Sequence, residues 1–345
     1  MVLDSLGMFD AAAATPEHMR MARDAALARV ADVALPAHDR IENVVVLGMG
    51  ASGTAGEVVR EVAGPLMSVP VIVHHGYGVP NFVDAGSLVL AVSISGRTDE
   101  TVEAAEHALD DGARVVTFGH GGPLADLAAR RGSAHIDATP AMPAPRCGVG
   151  AVVMPLLTVL EAVDLYPGAR EWIDAAIAQS MRRREQLITP DNIASRLASR
   201  LRGSFPLIYG ANGPGRVAAR HWKGQCNANA KIPAFCSSAP ELFHDEVAGW
   251  GQHGDITRQV LRSVVLRHDD EHPAVAMALD LATEQLVEFV GSVDEVRAEG
   301  DGILAQLLDL LFIGDLVSLH LAADADLDPG PVPAVDGFAS RMRPD

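Results

Sequence analysis

The sequence predicts an α/β protein made of two units in tandem, each a parallel sheet flanked by helices. Three observations predict it. Short apolar runs alternate with stretches of helical periodicity, the pattern of strands covered by helices on both faces. Twice such a run passes into glycines and then a helix, in NVVVLGMGASG at 43–53 and PLIYGANGPG at 206–215. The chain has 345 residues and is 48% hydrophobic, long enough for two domains and apolar enough to give each a core.

The first 35 residues are Ala-rich, with Met, Arg and Asp at helical spacing, and predict one or two leading helices. A strand at 43–47 runs through glycines into a helix at about 54–63. Strands follow at 71–74 and 88–93, the latter leading past Gly96 to a helix at 99–110. The strand 114–118, His120 and two glycines lead to a helix at 124–131. The Pro-rich segment 140–145 is a break. Helices at 149–165 and 171–186 come next. Thr189-Pro190 has the composition of a helix start, with Thr as cap and Pro in the first turn. The second alternation has a strand at 206–209, Gly210, Gly213 and Gly215, and a helix at 217–222. It continues with a strand at 262–266, a helix at 283–289 and a strand at 294–298. A long helix spans 304–321, and DPGPVPAVDGFASRMRPD reads as a closing tail rich in Pro and Gly. The domains read as leading helices 1–35, a first unit 36–155, a helical connector 156–200, a second unit 201–325 and a tail 326–345. No sequence repeat relates the halves; the likeness is architectural.

Lys and Arg number 27 against 45 Asp and Glu, a net charge of −18. So acidic a surface repels phosphate backbones and argues against nucleic acid as a partner. Cys147, Cys226 and Cys236 form no CxxC pair and fit free thiols in a reducing compartment. The start, MVLDSLGMFD, lacks the basic residues of a signal peptide. The most apolar stretch, 303–323, is interrupted by Gln306, Asp309, Asp315 and His320 and reads as a buried amphipathic helix, not a membrane span. A cytoplasmic protein is expected. Only two lysines occur, Lys223 and Lys231, both in one short segment.

Two loops carry the chemistry. GMGASG (48–53) satisfies G-x-G-x-x-G between a strand and a helix, so a dinucleotide fold is the first comparison. That use wants an acidic residue at the end of the second strand, where this chain has His74-His75-Gly76, which counts against a nicotinamide cofactor. A simpler anion or sugar site, with Ser52 as an extra donor, fits better; a tight turn with no ligand is the alternative. SISGRTDET (93–101) places Ser93, Ser95 and Thr98 around a glycine at a helix start. Small donors, free N–H groups and the helix dipole suit a phosphate monoester, and the absence of Lys and of Walker spacing sets it apart from a nucleotide P-loop. A merely well-capped helix is the alternative. His74-His75 and His244-Asp245-Glu246 lack the helical i, i+4 spacing of zinc enzymes and read as loop residues, so no metal is expected.

With these two loops, the segments IYGANGPGRVAARHWKGQCNANAKIPAF (208–235), PELFHDEVAGW (240–250) and DPGPVPAV (328–335) make the chain resemble the bifunctional phosphoglucose/phosphomannose isomerase family. The resemblance covers nearly everything after about residue 40. It implies two sugar isomerase (SIS) domains, a homodimer, no metal or redox cofactor, and aldose–ketose isomerisation of glucose or mannose 6-phosphate to fructose 6-phosphate. Carried over by position, Ser93, Ser95 and Thr98 would hold the phosphate of the phosphorylated hexose, and Gly50 and Ser52 would lie against the sugar. Arg146 would steady the enediolate. His244, from the partner subunit in this family, would handle ring opening. Without the resemblance, Arg146 reads as a surface residue and His244 as structural.

Two positions depart from the family. Its Asn-Glu-Asn-Ala-Lys, whose Glu is the base, reads Asn227-Ala228-Asn229-Ala230-Lys231 here, and its catalytic Lys after D-P-x-P-V aligns with Ala339. Alanine takes no proton, and Arg341 nearby seldom gives one up. The expectations are an isomerase with a substitute base, drawn from Glu241, Asp245, Glu246 or Glu57, or a sugar-phosphate binder without turnover acting as sensor or regulatory partner. A dinucleotide oxidoreductase is the weakest reading.

Overall fold

A computed structural model describes residues 3–138 and 140–342. Helices α1 (Met8–Ala13) and α2 (Thr15–Val30) precede strand β1 (Asn43–Leu47). Then come α3 (Gly50–Val62), β2 (Val71–His74), β3 (Ser87–Val92), α4 (Asp99–Asp110), β4 (Arg114–Phe118), α5 (Gly122–Arg131) and β5 (Ala134–Ile136). Three helices follow: α6 (Val149–Ala162), α7 (Ala169–Leu187) and α8 (Ile193–Leu201). The second alternation is β6 (Phe205–Ala211), α9 (Pro214–Gln225), β7 (Phe235–Ala239), α10 (Gly254–Val260), β8 (Leu261–Arg267), α11 (Pro273–Leu286) and β9 (Val293–Arg297). It ends in α12 (Ile303–Asp324) and α13 (Pro333–Met342). The described residues divide into two compact units, 14–181 with 300–308, and 182–299 with 3–13 and 309–342.

The first of these contains a parallel five-stranded sheet of order β2-β1-β3-β4-β5. Leu47 lies opposite His74 and Ala91, and Val92 opposite Phe118. The central strands NVVVL and SLVLAV are apolar after their first residue and rich in Val and Leu, as strands covered on both faces are. On one face, Val45, Leu47, Val89 and Ala91 pack with Ala104, Ala105 and Ala108 of α4 and Leu124 and Leu127 of α5. On another side α3 packs on α6, which in turn packs on α2. From β1 the chain winds to β2, and from β3 it winds the other way to β4. The loops leaving β1 and β3 therefore diverge and open a crevice at the carboxyl ends of the strands, where α/β sheets bind ligands.

The other unit holds a parallel four-stranded sheet, β7-β6-β8-β9, with Gly210 opposite Ser238 and Leu266. Leu207, Tyr209, Ala211, Val265, Leu279 and Leu286 form its core. The 22 residues of α12 are apolar and long enough to cross a bilayer by length alone, but 83% of the most apolar window is buried. Asp309, fully buried, accepts two hydrogen bonds from the Arg183 guanidinium, each 2.7 Å. Trp222 Nε1 donates to Leu310 O at 2.7 Å, and its indole lies over Gly314, where a Cβ would collide with the ring.

Several expectations need correction. The helix expected at Thr189-Pro190 begins instead at Ile193: the Asn192 side chain accepts from Ser195 N (2.9 Å) and Ser195 Oγ accepts from Asn192 N (3.1 Å), a reciprocal cap that Thr189 cannot match. Thr189 instead donates to Gln186 O. The helix expected at 283–289 starts at Pro273 and ends at Leu286. The tail is not all loop, because α13 starts at Pro333; Ala339 lies on it, and its side chain is outside those described. Strands β5 and β7 are additions.

Candidate functional site

The crevice between β1 and β3 is bordered by both motif loops. After β1, Met49 in extended backbone caps α3, and Gly50 follows at φ 53°. Close approach explains two of the glycines. A Cβ on Gly48 would lie 3.1 Å from Gly53 N, and one on Gly53 2.6 Å from the His75 ring and 2.7 Å from Gly48 O. Ser52 sits in the first turn of α3, buried.

After β3, Ser93 is buried and its Oγ lies 2.9 Å from Thr98 Oγ1, with the Thr98 N–H reaching Ser93 Oγ at 3.4 Å. Ser95 is exposed, and its hydroxyl accepts the Arg97 N–H at 3.3 Å. Thr98 is the N-cap of the 12-residue α4, in extended backbone, and no side chain caps that helix end. Its first turn also holds Thr101, 1% exposed, whose hydroxyl has no partner among the described residues. The loop is locked by its neighbour. Ser93 N donates to Phe118 O, His120 N to Ile94 O and Leu124 N to Gly96 O, at 2.9–3.0 Å. Gly96 is at φ 65°, and a Cβ there would collide with Gly121 O. Hydroxyls and uncapped N–H groups held rigidly at a helix start can accept an oxyanion without reorganising.

Arg146 lies in the one-turn helix Pro145–Cys147, which packs on α3. A pair not foreseen from the sequence joins α3 to the end of β2. His75 is not a free loop residue: Nδ1 is 2.9 Å from Gly48 O and Nε2 is 3.2 Å from Glu57 Oε1. Glu57, expected as a substitute base, is buried and also paired with Arg60 at 2.5 Å. Burial pushes its carboxyl pKa up, but the His75 hydrogen bond and the Arg60 charge outweigh this and hold it below the usual carboxylate value. The signal lay in α3, where a carboxylate one turn after Gly53 falls among core positions and so demands a partner.

The remaining residues belong to the other unit. Ala228 sits in a π-helical turn, Cys226–Ala230, that closes α9. Lys231, in left-handed backbone, donates from Nζ to Ala228 O (2.6 Å), Asn229 O (3.3 Å) and Pro329 O (3.3 Å). Behind the turn runs a buried polar strip: Asp315 Oδ1 is 2.6 Å from His221 Nε2 and 2.7 Å from Gln225 Nε2, and Asn229 bonds Gln225 and Ser318. His244 is exposed after the turn Glu241–Phe243. Of the other carboxylates considered as bases, Glu246 accepts from the Tyr209 hydroxyl at 2.6 Å, Asp245 accepts the Glu246 N–H, and Glu241 is exposed. At the end of β8, where β3 has its hydroxyl loop, stands Arg267, 5% exposed. It is held by Glu271 (2.9 Å), Asp280 (2.6 Å) and Glu295 (3.2 Å), and Glu271 also accepts His268 N–H at 2.9 Å.

Residues 40–159 match the SIS domain, and residues 190–342 match the bacterial phospho-glucose isomerase C-terminal SIS domain. A bifunctional phosphoglucose/phosphomannose isomerase of Caldicellulosiruptor bescii is 32% identical over 340 residues, covering 97% of this chain and 98% of the relative. One of Thermoplasma acidophilum is 31% identical, covering 87% and 89%. Among solved structures, tagatose-6-phosphate ketose/aldose isomerase from Escherichia coli shares the fold, with TM-score 0.72 at 14% identity over 94% of this chain and 95% of that one. Two SIS folds, hydroxyl-bearing loops at the first sheet's switch point and identity along nearly the full length lead to one conclusion: the chain belongs to the bifunctional phosphoglucose/phosphomannose isomerase family.

Proposed function

We propose that the chain binds a phosphorylated hexose and interconverts its aldose and ketose forms, glucose and mannose 6-phosphate with fructose 6-phosphate. The Ser93–Thr98 hydroxyl pair at the uncapped start of α4 carries this reading. In it, Ser93, Ser95 and Thr98 with the first N–H groups of α4 hold the phosphate dianion, and Gly50 and Ser52 line the sugar. Arg146 offsets the negative charge of the enediolate as a proton moves between C1 and C2. His244, supplied by a second copy of the chain in a homodimer, assists ring opening. The reaction moves two hydrogens within one molecule, from C2 to C1 and from O2 to O1, so its balance calls for no redox cofactor. Family membership supports a cytoplasmic location.

Ala228 is the observation that favours a second reading, binding without turnover, since its methyl group accepts no proton. A coupled assay with fructose 6-phosphate and mannose 6-phosphate, run on wild type and Ala228→Glu, separates the two. The isomerase reading expects measurable wild-type turnover, raised by the variant by a factor on the order of 10²–10⁴. No turnover in wild type sinks it. Binding is tested separately by thermal shift with hexose 6-phosphates. Ser93→Ala combined with Thr98→Val is expected to weaken it by at least about tenfold, one charge-assisted hydrogen bond's worth; unchanged affinity overturns the cradle assignment.

A further inference from the structure

Resting on the sugar-phosphate reading, we infer that His75 and Glu57 are positioning residues. Together they pin the Gly48 carbonyl and hold the sugar-side loop 48–53 in its binding shape, and the pin holds only while His75 carries both ring protons.

The hydrogen-bond geometry requires the two protons. Nδ1 faces Gly48 O at 2.9 Å and Nε2 faces Glu57 Oε1 at 3.2 Å. A backbone carbonyl only accepts, and so does an ionised carboxylate, so both contacts are hydrogen bonds only when both ring nitrogens donate. A neutral imidazole has one N–H and satisfies one of them. Glu57 is kept ionised by its other partner, Arg60, whose Nη2 lies 2.5 Å from Oε2. The ring is also a packing element. It presses on Gly53 so closely that no Cβ fits there, which sets the separation between the end of β1 and the start of α3.

The elements next to the ring, and those packed on them, carry charged and titratable groups in four places. α3 supplies Glu57, Arg60 and Glu61, the last also paired with Arg60 at 2.8 Å. The end of β2 supplies His74, whose Nε2 lies 3.2 Å from Tyr77 O. His107 of α4 approaches the following loop, its Nδ1 3.9 Å from where a Cβ on Gly78 would stand. The Pro145–Cys147 turn on α3 carries Arg146. Of these, Glu57 alone is hydrogen-bonded to the ring among the described contacts. Raising the pH removes one ring proton, breaks one of the two hydrogen bonds and releases the loop. Sugar-phosphate affinity therefore falls on the alkaline side.

The test is calorimetric titration of the full chain with fructose 6-phosphate between about pH 5.5 and 8.5, with ring ¹⁵N NMR of His75 recorded in parallel. His75→Ala is expected to weaken binding about tenfold at the acidic end. His75→Arg keeps N–H donors and does not titrate in this range, so whatever affinity it keeps lacks the histidine's share of the alkaline fall. Glu57→Gln keeps an accepting oxygen without the charge and moves the fall to lower pH. The ligand's own ionisation near 6 is common to all variants, so the difference between wild type and His75→Arg isolates the histidine. A neutral His75 ring by NMR at about pH 6, or His75→Ala binding as tightly as wild type, overturns the inference. If wild type binds no hexose phosphate at any pH, the sugar-phosphate reading fails and the positioning role with it, while NMR still decides the protonation state.

Discussion

Gly53 shows how tightly a single position is constrained. Its hydrogen faces both the His75 ring and Gly48 O, at distances no Cβ tolerates. Gly53→Ala is expected to destabilise the chain by about 1–3 kcal/mol through overpacking, measured by urea denaturation, and to weaken hexose-phosphate binding by displacing the ring. The same site shows what a sequence discloses residue by residue. Ser93, Ser95 and Thr98 were legible because their signal is local: small hydroxyls and a glycine between a buried strand and a helix. Glu57 and His75 were not, since their contact spans 18 residues of sequence, and alone His75 reads as a loop residue and Glu57 as a spare base. Thr101 escaped for the opposite reason, as its burial depends on how α4 packs.

Among elements, strands bounded by glycine or a turn were legible to the residue. β1, β2 and β4 occupy 43–47, 71–74 and 114–118 as their apolar runs require, and α4 fills 99–110. Helices that begin in glycine were read late. α3 starts at Gly50 and α5 at Gly122, because glycines with positive φ supply the entry turn before any apolar periodicity can be seen. β7, FCSSA, is an edge strand only partly covered, so it lacks the apolar run that marks β6 and β8. Between elements, α9 and α12 meet where Trp222 covers Gly314. Gly314→Ala adds a methyl where the indole lies, and a loss of about 1–3 kcal/mol is expected from denaturant unfolding; an unchanged midpoint would show that the helices can separate at no cost.

For the whole molecule, buried charge and buried imidazole decide how stability answers to substitution and to pH. Asp309→Ala would leave the Arg183 guanidinium without its bidentate partner in a buried site, at a cost of about 3–5 kcal/mol, readable from the unfolding free energy. Four histidines, His18, His135, His268 and His320, have pKa values lowered by burial from the usual 6.5. Below 6.5 the unfolded chain binds protons that the folded chain refuses. Stability is therefore expected to be level above about pH 6.5 and to fall as pH drops towards the lowered values. Glu57, whose pKa is depressed, adds a loss at still lower pH, below the ordinary carboxylate range. Melting temperatures from about pH 2 to 8 check both; a flat profile would contradict them.

The two sheets repeat one topology, yet their crevices have diverged. Where β3 ends in Ser93 and an open helix start, β8 ends in Arg267 clasped by Glu271, which takes the His268 N–H that an incoming anion would otherwise take. The second crevice already contains a carboxylate of its own. A titration should accordingly saturate at a stoichiometry of one hexose phosphate per polypeptide, and Glu271→Gln, by unseating the internal anion, is the change that should expose a second, weaker equivalent.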